Sequence, residues 1–193
     1  MNPETIKNDC KVKAAYAYGT HYVYSKRMRR MEKWIRFNTT LGVMVPILIG
    51  SIVLTYGTGN LTIIAIWIAG PLGLFQVVLS VLSLTYNWEE RRSSYLESTL
   101  GNRKLFEGYT LLTEKNGDIT GEYIELLNLD SQQNNQDDKY PFDDHETRIA
   151  HRAGLRQVRL KCLECDEIPV SMESTQCNLC GKYKFNLLKL KYE

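Results

Sequence analysis

What the middle of this 193-residue chain lacks is charge: between Arg36 and Glu89 there is no Asp, Glu, Lys or Arg at 52 consecutive positions. With 24% charged residues overall, a gap of that length argues against an ordinary soluble domain there, whose outer faces carry charge; the alternative to membrane segments is a buried helical hairpin of a soluble protein. Histidine is scarce, and His145 and His151 stand six residues apart, whereas two ligands on one helix face need four. No glycine-rich phosphate loop follows a strand, and no nucleophile is paired with a base, so an enzyme is not expected. The opening MNPETIKNDCKVKAAYAYG lacks the apolar core and cleavage site of a signal peptide. Insertion into a membrane would then be directed by the membrane segments themselves.

The uncharged block is too long for one helical crossing of a bilayer, which needs about 20 apolar residues, and about right for two. Tyr56-Gly57-Thr58-Gly59-Asn60 has turn chemistry, which predicts spans over Thr39–Tyr56 and Leu61–Tyr86. Trp34, Tyr56, Tyr86 and Trp88 fall near the boundaries, where amphipathic rings collect. Lys26, Arg27, Arg29, Arg30, Lys33 and Arg36 precede the block and Arg91 and Arg92 follow it, so the positive-inside rule predicts a multi-pass protein with both termini cytoplasmic. In the second span Ala69, Gly73, Gln76, Ser80, Ser83 and Asn87 recur at spacings of three and four, one face of a helix. Such a face serves either as a packing seam between helices or, if copies assemble into a homo-oligomer, as the lining of a water-filled path. Pro46, Gly70 and Pro71 can kink either span.

Before the block, Tyr24, Met28, Met31 and Ile35 form the apolar stripe of a basic amphipathic helix, a match for membrane lipid headgroups or for a partner. After it, a helix is expected from Trp88 to Leu105 with a break near Gly101-Asn102, then a short one from Glu122 to Leu129. The run SQQNNQDD is too polar to bury and reads as a linker. Asp143-Asp144 starts a further helix, on which Arg148, Arg152, Arg156 and Arg159 make a basic face. That face suits a nucleotide, RNA or a lipid headgroup, or is simply solvated and paired with nearby acids.

Four of the five cysteines form two Cys-x-x-Cys pairs, Cys162/Cys165 and Cys177/Cys180, with eleven residues between them. Two such pairs complete the sulfur tetrahedron of a closed structural Zn²⁺ site. Disulfides need an oxidising compartment, and a thioredoxin-like centre needs a single pair. Gly181 suits the knuckle turn, and Ile168-Pro169-Val170 with Tyr183 to Leu188 are expected as short strands of a zinc-ribbon-like unit. With all four positions filled by cysteine there is no open site for metal catalysis. Cys10 gives no signal.

The fold class expected is therefore mainly α and membrane-embedded. Its parts are a basic helix (1–38), a transmembrane hairpin (39–87), a cytoplasmic helical extension (88–130), a polar linker (131–141), an arginine-rich helix (142–160) and a zinc-ribbon-like unit (161–193). This order, with HETRIAHRAGLRQVRLKCLEC leading into the cysteine pairs, resembles the SLATT proteins, the SMODS- and SLOG-associating two-transmembrane effector domains, in their mobilome branch with a CxxCx(11)CxxC tail. The resemblance implies a bacterial inner-membrane effector of anti-phage or mobile-element conflict. It would oligomerise into a pore when a linked nucleotide-second-messenger or reverse-transcriptase system is triggered. A non-conducting membrane-anchored adaptor, recruiting a protein or nucleic acid through the ribbon, is the alternative.

Overall fold

A computed structural model describes residues 2–56, 67 and 69–183, without the side chains of 52, 53 and 56. Among the described residues there are five helices: α1 Pro3–Tyr56, α2 Gly70–Thr85, α3 Trp88–Glu114, α4 Thr120–Asp137 and α5 Asp144–Val158. Among the described residues there is no strand. The chain divides into two compact units, one of Met1–Lys26 with Tyr95–Glu193 and one of Arg27–Ser94.

The first unit is built on helical spacing. Ile6, Cys10, Ala14 and Ala17 of α1 meet Leu105, Tyr109 and Leu112 of α3, with Ile119 and Tyr123 at the start of α4. Each fully buried aliphatic side chain of this set contributes roughly 1.5–3 kcal/mol. Cys10 is thus a core residue. Tyr109 donates to Asp130 at 2.9 Å and Tyr123 to Asp9, so the polar rims of this core are satisfied. Burial and the bond to Asp9 push the Tyr123 phenol up to about 12.

α5 crosses α1 with almost no side chain between them. A Cβ on Gly154 would lie 2.0 Å from the carbonyl oxygen of Ala15, and one on Gly19 would lie 2.3 Å from that of Ala150. The two helices therefore run antiparallel with matched Ala-x-x-x-Gly segments, 15–19 and 150–154, each glycine against the other's alanine. α5 begins at Asp143, whose side chain accepts from the Glu146 amide at 2.7 Å, satisfying one of the orphan donors of a helix start. It ends at Arg159, which adopts a left-handed conformation, φ 56°.

In the second unit, Leu79 is the buried residue of α2 and Leu72, Gly73, Gln76, Ser80 and Ser83 are half-buried. A Cβ on Gly42 of α1 would lie 3.6 Å from the Gln76 Nε2. Leu74, Phe75, Val77, Val78, Val81 and Leu84 are exposed. Trp34 and Trp88 lie with ring centroids 6.3 Å apart.

Several expectations are corrected. Among the described residues no helix is long and apolar enough to cross a membrane. The transmembrane hairpin, and the multi-pass inner-membrane placement with cytoplasmic termini that rested on it, are withdrawn. α2 has 16 residues, about 24 Å at about 1.5 Å per residue, short of a hydrocarbon core of about 30 Å. α1 is long, but charge fills it as far as Arg36, and Asn38, Thr39, Thr40, Gly42, Pro46, Gly50 and Ser51 interrupt the apolar residues beyond. The turn at 57–60 and positions 61–66 and 68 of the expected second span lie outside the described residues.

The break at Gly101-Asn102 does not occur, and α3 is continuous because Asn102 is buried and bonded. The expected linker is helical as far as Asp137. Its polarity is spent internally: Asn102 and Gln133 donate to the Asp137 carboxylate at 2.6 and 2.8 Å, and the Tyr24 hydroxyl donates to the Asp137 carbonyl at 2.8 Å. Among the described residues no strand of the expected ribbon forms: 168–170 is irregular, and of Tyr183 to Leu188 all but Tyr183 lies outside the described residues.

Candidate metal centre

Each cysteine pair sits on a tight turn closed by its own backbone. In the first, the Cys162 amide donates to the Glu167 carbonyl and the Asp166 amide to the Cys162 carbonyl, both at 2.9 Å, with Asp166 left-handed at φ 55°. In the second, the Cys180 amide points at the Cys177 Sγ at 3.4 Å and the Lys182 amide donates to the Thr175 carbonyl at 2.7 Å. The left-handed residue of this turn is Lys182, φ 52°, not Gly181. Gly181 is required for closeness instead: a Cβ there would lie 2.4 Å from the Thr175 carbonyl oxygen.

These turns bring all four Sγ atoms within 4.8 Å of one another. Cys162 and Cys177 are 3.8 Å apart, as are Cys165 and Cys180. Sulfurs held at about 2.3 Å around a tetrahedral ion are separated by about 3.8 Å along each edge, whereas a disulfide bond is about 2.05 Å long. The 3.8 Å contacts join one pair to the other, so all four sulfurs share one site instead of one pair standing apart as a dithiol redox motif would. The withdrawn topology had been the ground for preferring a metal; sulfur geometry replaces it. Four cysteines so placed are compatible with a metal site.

The thiols are not equivalent. Burial acts to raise Cys162, but the amides of Cys165 and Glu164 outweigh it and hold it below the ordinary thiol range. Burial pushes Cys177 and Cys180 up. Glu164, inside the first pair, reaches the second. It accepts from the Cys177 thiol at 3.1 Å, the Asn178 side chain at 2.7 Å and the Leu179 amide at 2.7 Å, and these bonds hold its carboxyl below the usual range. Nothing in a Cys-Leu-Glu-Cys string marks that role.

The four arginines do not share one surface. Arg152 is buried, only 5% exposed, and bonds the cysteine unit: its Nε donates to the Ser171 carbonyl at 2.8 Å and its Nη1 to the Cys180 carbonyl at 3.1 Å. Arg148 is half-buried and donates to the Lys182 carbonyl at 3.3 Å; Arg156 and Arg159 are exposed. The signal in the sequence was Leu155, three residues after Arg152 and buried, which marks that side of α5 as inward. The membrane-seam candidates lie in the other unit. Gly73, Gln76, Ser80 and Ser83 are half-buried, as is Ala69, while Asn87 sits exposed in a left-handed turn, φ 47°.

A small helical bundle closed by a four-cysteine knuckle pair is the class that this fold and site define. Within it the chain belongs to the Mobilome CxxCx(11)CxxC protein family, whose model matches residues 7–183. No curated protein and no solved structure matches it.

Proposed function

We propose that the four cysteines hold one structural Zn²⁺ and that the protein is a non-enzymatic binding component of a mobile-element conflict system. The observation that carries the metal reading is the 3.8 Å spacing of sulfurs across the two knuckles, the edge expected for Zn–S bonds of about 2.3 Å. When bound, the ion supplies folding energy and no open coordination position. The residues of the chain do the rest: Gly181 admits the Thr175 backbone, Glu164 ties one knuckle to the other, and the knuckle tips are presented outward. Leu163 is 91% exposed beside the exposed Glu164, Asp166 and Glu167, an apolar tip in an acidic setting that suits a protein partner with basic and apolar side chains.

Support for the conflict-system role is the mobilome family itself, together with the SLATT resemblance of the 145–180 region. The input on this reading is a linked nucleotide-second-messenger or reverse-transcriptase sensor. Elemental analysis of the purified full chain tests the metal: one zinc per chain, lost in Cys162→Ser, is expected, and iron or no metal refutes it. Leu163→Glu with Leu179→Glu tests the surface. The variant should keep its metal and lose the function of its element; retained function removes the binding role.

A further inference from the structure

We propose that Arg152 is the counter-charge of the metal centre, a positioning residue that makes a buried four-thiolate site tenable and ties it to α5. The proposal rests on the metal reading of the cysteines. A guanidinium is charged at any working pH, and a buried charge is costly unless paired. Arg152 is buried, yet among the described residues no carboxylate lies within ion-pair distance of it. Its partners are the Ser171 and Cys180 carbonyls, the Thr175 hydroxyl at 3.4 Å and the Cys180 Sγ at 3.7 Å. Each is neutral when the thiols are protonated.

The complementary problem lies on the sulfur side. Four thiolates around a divalent ion carry a net charge of 2−, and two of them, Cys162 and Cys180, are buried to 1% exposure. Glu164, which accepts from the Cys177 thiol, adds further negative charge there. Lys161 and Lys182 are spent on the surface, on Asp166 and Asn178. An unpaired buried cation and an unpaired buried anion thus meet at Cys180, and each is the other's missing partner. A charge-assisted N–H to sulfur bond lowers the cost of the fourth thiolate. Because Arg152 stands between Ala150 and Gly154, two of the points where α5 approaches α1, the same bond couples metal occupancy to the α1–α5 crossing.

The test uses the full chain, stripped of metal and titrated with Co²⁺, read by thiolate-to-metal absorption, then with Zn²⁺ against a competing chelator. Wild type and Arg156→Gln should bind one ion with equal affinity. Arg152→Gln keeps polar contacts but loses the charge and should bind about tenfold to a hundredfold more weakly, with half-loading moved to higher pH. Arg152→Lys keeps the charge and should lie closer to wild type in both readouts. Equal affinity and half-loading pH for wild type and Arg152→Gln overturns the proposal and leaves the metal reading intact. Equal losses in Arg152→Gln and Arg152→Lys also overturn it, because shape and not charge would then matter. A wild-type chain that takes up no metal removes the metal reading itself.

Discussion

Substituting Gly154 by alanine tests the helix crossing most directly. The added methyl would sit 2.0 Å from the Ala15 carbonyl oxygen, 2.7 Å from its carbon and 3.3 Å from its Cα. Ordinary contact begins at 3.4 Å, so the shortfall is 3.4 − 2.0 = 1.4 Å. The obstructing atoms are helix backbone, which cannot rotate aside, so α1 and α5 must separate locally. A gap of 0.5–1 Å already forfeits a quarter to a half of each dispersion contact, and overpacking costs typically 1–3 kcal/mol. The helix propensity of alanine returns about 1 kcal/mol. With the obstruction at the severe end, the net loss should be about 2 kcal/mol. Urea denaturation of the purified chain reads this as a lower midpoint at unchanged slope. Gly121→Ala is the control, since nothing lies within 4 Å of its Cβ position; it should be neutral or gain up to about 1 kcal/mol. Gly19→Ala should resemble Gly154→Ala, and the double variant should lose less than the sum because the first methyl has already opened the crossing. Gly154→Ala as stable as Gly121→Ala would refute the close approach.

Three further outcomes are expected. Arg159→Gly removes a non-glycine residue from φ 56°, a conformation that costs roughly 1 kcal/mol, and should raise the unfolding free energy by about 0.5 kcal/mol, read as a higher denaturation midpoint; a fall would show that the Arg159 side chain matters more than its backbone. Burial holds the Asp137 carboxyl above its ordinary range even though Ser98, Asn102 and Gln133 donate to it. The folded chain therefore keeps that proton to higher pH than the unfolded one. Its contribution is full below the ordinary value of about 3.9 and is lost as pH rises through the raised value. Asp137→Asn should flatten the stability-against-pH curve over that window, measured by denaturant midpoints at stepped pH, and an unaltered slope counts against it. Glu164→Ala deletes the bonds to Asn178 and the Leu179 amide and should weaken metal retention against a chelator by about tenfold; unchanged retention would make the cross-knuckle bonds incidental.

The parts legible in the sequence were those governed by local rules. Asp143 as a helix start needs only its own side chain and the amide three residues on. The cysteine pairs needed only their spacing. What escaped depended on partners distant in the chain. Asp137 reads as solvent-loving until Asn102, more than thirty residues earlier, donates to it, and Gln133 until it donates to that same carboxylate. Gly19 and Gly154 look like ordinary small residues until each meets the other's alanine. Cys10 gave no signal because it lines a core shared with α3. The arginine stripe was misleading for the same reason: helical spacing says which residues share a side, but not whether that side meets water or sulfur. The membrane expectation came from a property of a long block, and the helices described within it do not reach the length and apolarity that a crossing demands.

Glu164 also links the closing of one turn to that of the other. Its carboxylate belongs to the first turn by sequence and to the second by hydrogen bonding, so each turn closes on its own backbone but the bonds between them form only when both are in place. A half-filled state, with an ion held by Cys162 and Cys165 alone, would leave that carboxylate without the Asn178 and Leu179 donors. If the cysteines hold the proposed ion, capture by four sulfurs should accordingly be favoured over a half-filled state, and the two turns should close together like a latch.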